Sequence, residues 1–586
     1  MKKIAVCVAL SLTMTAALPA IASAEDWKQQ LDRASEDYFQ QVFFHFGPSN
    51  GTVSGYHQYD SQFEDYSRKN IDAEVAALKQ FESRIDAIHP TAGAADFVPR
   101  SDREILLSTI RAQLLEIETI RAWEKYADIY SGTCASGAFV LMERKFASPD
   151  DRLRSLISRE KKMPAILDEA RVNLKNPPRI FTEIAIEQLP GIVDFFQHDV
   201  PSAFADAHDP ALKAEFAKTN ATVIASLNAY LDWLKTDLLP RSNGDFRIGA
   251  QAFRDKLKYD EMVDIPLDKL LEIGWADLRK NQEHFKQVAH ELEPNKTPQE
   301  VLLELGENHP APDHLMEAFR STFASLIDFI RTHHIVTIPS EVRPILEETP
   351  PFMRATTTAS MDTPGPFETH ATEAYFNVTL PDVKMTPAEV DGYMHGFNIG
   401  TVVSTAVHEA YPGHYVQFLW LPQAPSKVRK LLSANTDVEG WAHYTEQMML
   451  DQGYGQPGVG AKDERDAKFL RLGQLQDALL RNARFIVGIQ IHTSNMTIEQ
   501  AEDFFQKEGF QSKENAEVET KRGAGDPTYL YYTLGKLEIM KLREDMKKKE
   551  GAAFSLEKFH DDFLKQGFPP IKIVREAMLG DDSPTL

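Results

Sequence analysis

The chain has 586 residues, 42% of them hydrophobic and 26% charged, with a formal net charge of −23. That length suits one very large soluble domain or several ordinary ones. The acidic balance argues against a nucleic-acid partner, since phosphate binding needs clustered Lys and Arg.

The first residues read as a targeting segment. Lys2 and Lys3 precede an uncharged apolar run, Ile4 to Leu18, and Ala22-Ser23-Ala24 supplies a small-x-small cleavage signal. We expect a signal peptide over residues 1–24, a mature protein from Glu25 in the periplasm or medium, and no stable membrane insertion after cleavage. A retained anchor is the rival, but the run is short for a span. Cys7 sits early in the run, which disfavours a lipidated terminus. Cys134 is then the sole cysteine of the mature chain, so no internal disulfide forms. It reads as a small buried hydrophobe rather than a nucleophile.

Helical periodicity dominates the mature chain. Apolar residues recur at helical spacing over Asp26 to Phe46, Ser101 to Tyr126, Ala165 to Leu174, Ala207 to Trp233, Leu267 to Leu292 and Asp313 to His333. Thr297-Pro298-Gln299-Glu300 and Thr386-Pro387-Ala388-Glu389 are capping boxes with Pro at the first helical position. Strand signals are sparse, and the best is Glu373 to Leu380. The Pro-rich stretch Pro339 to Pro366 reads as a linker. It divides an N-terminal helical region, 25–340, from a C-terminal region, 341–586, which carries the chemistry, although the two are expected to intertwine.

Past the second capping box, Val390 to Gly400 and Thr401 to Tyr411 read as helix. There the chain spells His408-Glu409-Ala410-Tyr411-Pro412-Gly413-His414. A His-Glu pair near a second His is how many zinc hydrolases begin their site: two imidazole ligands and a general base, Glu409. The usual spacing is HExxH. Here the second His is two residues further on, which on a regular helix turns it by about 120° from the first. Pro412 forbids a regular helix and Gly413 permits unusual backbone, so the helix must break or bulge there for His408 and His414 to share one ion.

Two imidazoles need a third ligand. Glu439, in Glu439-Gly440-Trp441-Ala442-His443-Tyr444-Thr445-Glu446, is the candidate. On a helix, Glu439, His443 and Glu446 share a face, with His443 or Glu446 supporting the Glu439 ligand. A donor for an oxyanion is sought downstream. Asp526-Pro527 reads as a helix start, and that helix carries Tyr532 and Lys536, with Gly535 between them for close backbone approach. Tyr532 is the chosen donor. Arg522 is a candidate for a substrate carboxylate. Tyr411, Lys536 and, on the strand, Asn377 are further candidates for support or substrate contact. The solvated-face reading of Glu439, and core or surface readings of the tyrosines and Arg522, stand beside these.

In order, HEAYPGH, EGWAHYTE and Tyr532-Thr533-Leu534-Gly535-Lys536 resemble the bacterial DUF885 family. Pro48 to Ser67 and Met163 to Leu189 are similar to its upstream signatures. Asp526-Pro527-Thr528 departs from the family's pattern before its Tyr, and Arg522 matches its Arg only across a gap. The resemblance implies a mainly α, gluzincin-like metallopeptidase fold with a small β-sheet beside the active-site helix and a deep channel. It also implies one zinc ion on His408, His414 and Glu439, with Glu409 as base. The expected activity is hydrolysis of short peptides, with the strand 373–380 able to take substrate as an added strand. Hydrolysis of another amide, such as a cell-wall or acyl-amino-acid substrate, and a non-catalytic metal-containing binding protein are the alternatives.

Overall fold

The computed structural model describes residues 26–90, 96–354 and 357–586. The expected signal peptide over residues 1–24 lies outside the described residues. The fold is mainly helical. Among the described residues, no helix is long and apolar enough to cross a membrane.

The apolar periodicity finds its helices. The first runs Trp27–Tyr38 and continues through a wider π-turn to Phe46. The stretch expected from Ser101 starts earlier, at Phe97, runs to Leu114, and breaks at Arg121, where φ is 60°. Met163–Asn173 and Pro210–Trp233 also fall where expected. In the part that builds the site we number the elements α1 Leu267–Leu292, α2 Pro298–Gly306, α3 Leu315–Thr332, β1 Ile345–Glu348, β2 Ala359–Asp362 and β3 Tyr375–Val378. They continue as α4 Pro387–Met394, α5 Ile399–Glu409, α6 His414–Trp420, α7 Asn435–Asp451, α8 Glu464–Thr493, α9 Lys513–Gly525 and α10 Tyr531–Glu550. Both capping boxes form, at Thr297/Glu300 and Thr386/Glu389.

The stretch 339–366 is not a linker. Its prolines bound two short strands, β1 and β2, and these flank β3 in one sheet of order β1-β3-β2. β1 runs parallel to β3, pairing Ile345 with Tyr375, and β2 runs antiparallel, pairing Ala359 with Val378. Proline lacks a ladder donor, so it falls at the strand ends. Both hydrogen-bonding edges of β3 are thus used, and β3 is unable to take substrate as an added strand. β2, an edge strand, lies against α5.

Hydrophobic clusters draw on both sides of residue 340. Leu315, Phe319 and Phe323 of α3 pack with Phe376 of β3, Val403 of α5 and Trp441 of α7. Residues from Trp27 to Ile110 pack with Val428, Leu432 and Ile573. Leu278 and Phe285 of α1 pack on Leu472 and Leu479 of α8.

Two glycine crossings bring the site helices together. A Cβ on Gly473 of α8 would lie 2.3 Å from the Gly400 carbonyl carbon of α5, and one on Gly440 of α7 would lie 2.6 Å from the Gly535 Cα of α10. Only backbones without side chains pack this closely. The second crossing sets Glu439 beside Tyr532.

Candidate metal centre

α5 forms because it is buried almost all round, a core helix rather than an amphipathic one. Asn398 caps it: its Oδ1 accepts from the Gly400 and Thr401 amides, each at 3.0 Å. The helix ends at Glu409, two residues before the expected Tyr411, and α6 starts at His414 itself. Between them the Tyr411–Pro412 bond is cis. Gly413 donates to the Val407 carbonyl at 2.9 Å, and the Trp441 indole donates to the Pro412 carbonyl at 2.9 Å. A Cβ on Gly413 would sit 1.7 Å from the His408 carbonyl oxygen. The chain therefore folds back over the end of its own helix, and only glycine permits it.

The fold-back brings the two imidazoles together, with ring centroids 4.9 Å apart and planes at 86°. Glu439 Oε2 lies 3.3 Å from His408 Nε2 and 3.4 Å from His414 Nε2. A tetrahedral zinc with bonds of about 2.0–2.1 Å separates its ligand atoms by roughly 3.3–3.5 Å. These three atoms fit such a site.

The supporting groups fix which nitrogens face inward. Glu446 Oε1 lies 2.7 Å from His408 Nδ1. A carboxylate only accepts, so Nδ1 donates and Nε2 is left for Glu439. Gln417 does the same for His414: its Oε1 lies 3.4 Å from Nδ1, and its amide nitrogen is fixed by Asp437, donating to Oδ1 at 3.1 Å. Glu439 Oε2 is buried without a hydrogen-bond partner. Three electron-pair donors thus converge, and the pocket calls for positive charge. Burial opposes a charge on His408, but Glu439 and Glu446 outweigh it and lift its pKa to about 9. Burial likewise pushes Glu439 up, but His408 and His414 outweigh it and hold its carboxyl well below the usual range. A proton or a divalent cation satisfies this pocket, and two imidazoles with one carboxylate suit zinc.

The support differs from the expected one. Among the described residues, neither Glu446 nor His443 hydrogen-bonds to Glu439. Glu446 orients His408, and His443 Nδ1 donates to Glu446 Oε2 at 3.1 Å. They lie one and two turns further along α7, which places Glu446 behind the imidazole rather than beside the carboxylate. His443 stays neutral, because burial pushes its pKa down to about 3. Arg481 of α8 completes the group, 3.4 Å from Glu446 Oε1.

Glu439 is instead supported by Tyr532, whose hydroxyl donates to its Oε1 at 3.1 Å and accepts from Arg522 Nη2 at 2.7 Å. Burial, with Glu439 adding to it, pushes the Tyr532 pKa up to about 12, so the hydroxyl keeps its proton at neutral pH. Its helix does not begin at Asp526-Pro527. Asp526 follows the end of α9, and α10 starts at Tyr531, whose hydroxyl donates to Asp526 Oδ2 at 2.6 Å.

Glu409 closes α5 next to His408. Burial raises its pKa, opposed by His408 and His414. Its carboxylate makes no hydrogen bond to any described residue. The other candidates lie apart from the ligand atoms. Tyr411 is buried between Phe323 and Tyr415. Asn377 is buried on the central strand, its Oδ1 without a partner. Lys536 is buried with no hydrogen bond to its Nζ, near Asp277, whose carboxyl it helps to lower against burial.

Sequence reasoning misses Gln417, Arg481 and Arg484. Gln417 is three residues after His414, so it shares a helical face with it. Asp477, Arg481 and Arg484 recur at helical spacing within a segment otherwise buried and largely apolar, which is the available signal. Arg484 is held by Glu519 in a two-point pair at 2.5 and 2.7 Å.

A family described as "Bacterial protein of unknown function (DUF885)" matches residues 48–578, and the chain belongs to it. A solved structure described as a "putative lipoprotein of unknown function" from Shewanella oneidensis is similar at 26% identity and a TM-score of 0.75, covering 95% of this chain and 100% of that one. A second, the "putative lipoprotein" from Colwellia psychrerythraea, has a TM-score of 0.79 at 20% identity over 95% of this chain and 99% of that one, a likeness of fold alone. No curated protein matches.

Proposed function

We propose that this protein is an exported, zinc-dependent metallohydrolase of short peptides, with Glu409 as general base. One observation carries the reading: His408 Nε2 and His414 Nε2 lie 3.3 and 3.4 Å from Glu439 Oε2 and within 4.8 Å of each other, with an unpartnered carboxylate, Glu409, on the residue next to the first ligand. Bound there, zinc supplies Lewis-acid chemistry, polarising a carbonyl and acidifying water.

The chain's own groups supply the rest. Glu409 takes the proton of the attacking water and returns it to the leaving amine. Its raised pKa suits a group that must both accept and release a proton. Tyr532 keeps its proton, and on turning that proton from Glu439 Oε1 it would serve an oxygen that gains charge. Arg522 donates to Tyr532 and forms no salt bridge among the described residues, so its guanidinium is free to take a substrate carboxylate. The free edge of β2, against α5, is the backbone edge for an extended peptide. A gluzincin-like relationship and a channel that excludes folded proteins belong to this reading. The export signal at residues 1–24 and the description of both structural relatives as lipoproteins support export.

The test is digestion of an unbiased peptide library by the zinc-loaded mature protein and by Glu409→Gln. Cleavage by the wild type alone, with zinc retained in both, is expected. Cleavage by neither sinks the peptidase reading. Activity on a cell-wall or acyl-amino-acid amide would then move the same site to another substrate, and a site that binds zinc without any hydrolysis would make the protein a binding protein.

A further inference from the structure

A second group of metal-ligating side chains lies where α2 ends and α4 leads into α5. It comprises His309, Asp391 and His395, whose ligand atoms all lie within 4.8 Å of one another, with Glu307 beside them. His395 Nε2 lies 3.4 Å from Glu307 Oε1 and 3.6 Å from Asp391 Oδ2. His309 Nε2 lies 3.6 Å from Asp391 Oδ1. We propose that these four residues form a second divalent-metal site, of zinc type, that is structural rather than catalytic.

Three features separate this group from a chance cluster of charges. The first is direction. His309 Nδ1 lies 2.9 Å from the Pro310 carbonyl oxygen. A carbonyl only accepts, so Nδ1 donates and the neutral ring turns a bare Nε2 toward Asp391. A backbone carbonyl on the far nitrogen is a usual way to orient a metal-binding histidine. The second is an orphan. His395 Nε2 is buried without a hydrogen-bond partner, although two carboxylates lie within 3.6 Å. It is in hydrogen-bonding geometry with neither, which leaves its electron pair unused. The third is a prepared seat. The His395 ring lies over Gly306, the last residue of α2, where a Cβ would come within 3.1 Å of the imidazole Cγ. Any other residue there would press on the ring.

Three separations, 3.4–3.6 Å, are near the roughly 3.3–3.5 Å between the ligands of a tetrahedral zinc with bonds of about 2.0–2.1 Å, with Asp391 offering one oxygen to each imidazole. Two imidazoles select zinc or a similar transition ion over calcium or magnesium, which prefer all-oxygen sites. With the exposed Glu307 turned in as a fourth ligand beside the three grouped residues, the ion would keep no open position for substrate, which marks a structural site.

The location gives the ion a role. Asn308, between Glu307 and His309, accepts from the Ile399 amide at 2.9 Å. Ile399 is the first residue of α5, and His408 stands nine residues further along that helix. An ion held by Glu307, His309, Asp391 and His395 would clamp the end of α2 to the entry of α5. It would fix one end of the helix whose other end carries the candidate metal centre, about 14 Å away at 1.5 Å per residue.

The experiment is titration of the metal-free mature protein with Zn2+, counting equivalents by elemental analysis after gel filtration. Two equivalents are expected in the wild type. The double variant His309→Ala/His395→Ala and the milder Asp391→Asn/His395→Gln should each bind one and keep the wild type's circular dichroism spectrum and cooperative melting, which a misfolded variant would lose. His414→Ala should also bind one, and added Zn2+ should raise its melting temperature. That rise should vanish in His414→Ala/His395→Gln. If His395→Gln variants bind as much zinc as their parents, or if His414→Ala binds none, the cluster is a set of histidine–carboxylate ion pairs and the proposal is wrong. The count at the His395 cluster does not depend on any activity of the His408 centre, so failure of one reading leaves the other standing.

Discussion

The two histidine clusters use the same ligand types and differ in what stands behind them. At His408 and His414 each imidazole is buried and its far nitrogen is held by a side chain, Glu446 or Gln417, which is itself held by His443 and Arg481 or by Asp437. At His309 and His395 the only such support among the described residues is one backbone carbonyl, and the carboxylates are exposed, with Asp391 at 59% and Glu307 at 68%. Ligand identity is shared, whereas rigidity and dryness are not. By this contrast, the layer behind the ligands, more than the ligands, would decide whether a bound ion is gripped tightly or only pins two segments together.

Changes to the inner cluster test the contrast most severely. Glu409→Gln should reduce hydrolysis by about 10²–10⁴-fold, the usual range for a general base, while zinc content stays at the wild-type level. Gly413→Ala places a methyl against the His408 carbonyl. It should pull His414 away, empty the inner site and destabilise the fold by about 1–3 kcal/mol, seen by elemental analysis and thermal unfolding. Glu446→Gln keeps the shape but weakens the orientation of His408, and should lower inner-site zinc affinity about 10–100-fold in a competition titration. No comparable side-chain support exists among the described residues at the outer cluster to remove.

The next effect is one of pH. In the metal-free protein His408 holds its proton up to about pH 9, and zinc must displace that proton. Inner-site affinity should therefore rise with pH, by about tenfold per unit between pH 7 and 9, and level off above. A flat profile would show that the inner nitrogens are not protonated in the free protein. The smallest effect is expected from His395→Gln, a drop of a few degrees in the melting temperature of the zinc-loaded protein with unchanged hydrolysis.

Much of this is legible in the sequence, for physical reasons. Long amphipathic or apolar segments announce their helices, and Leu267–Leu292 has the bounds its periodicity predicts. The motif HEAYPGH carries its own geometry, because Pro412 and Gly413 leave few ways to continue the chain. Less visible is anything decided by tertiary contact. The strands at 345–348 and 359–362 are four residues each, and prolines around them look like a linker until β3 is set between them. The start of α10 is misplaced by sequence because Asp526 and Pro527 make an acceptable cap in isolation, while the chain uses them to leave α9. Tyr532, rather than Glu446, supports Glu439 for a similar reason. Periodicity places Glu446 on the Glu439 face, but the crossing at Gly440 and Gly535 decides which hydroxyl meets the carboxylate.

The six-residue spacing of His408 and His414 sets both imidazoles on Glu439, and everything proposed for the inner site rests on an ion binding there. The direct measurement is zinc content in a background where the outer cluster is removed by His309→Ala/His395→Ala. One tightly held equivalent is predicted there, and none once His414→Ala is added. An equivalent still held tightly without His414 would contradict the account, because the fold-back at Gly413 would then have no part in binding metal.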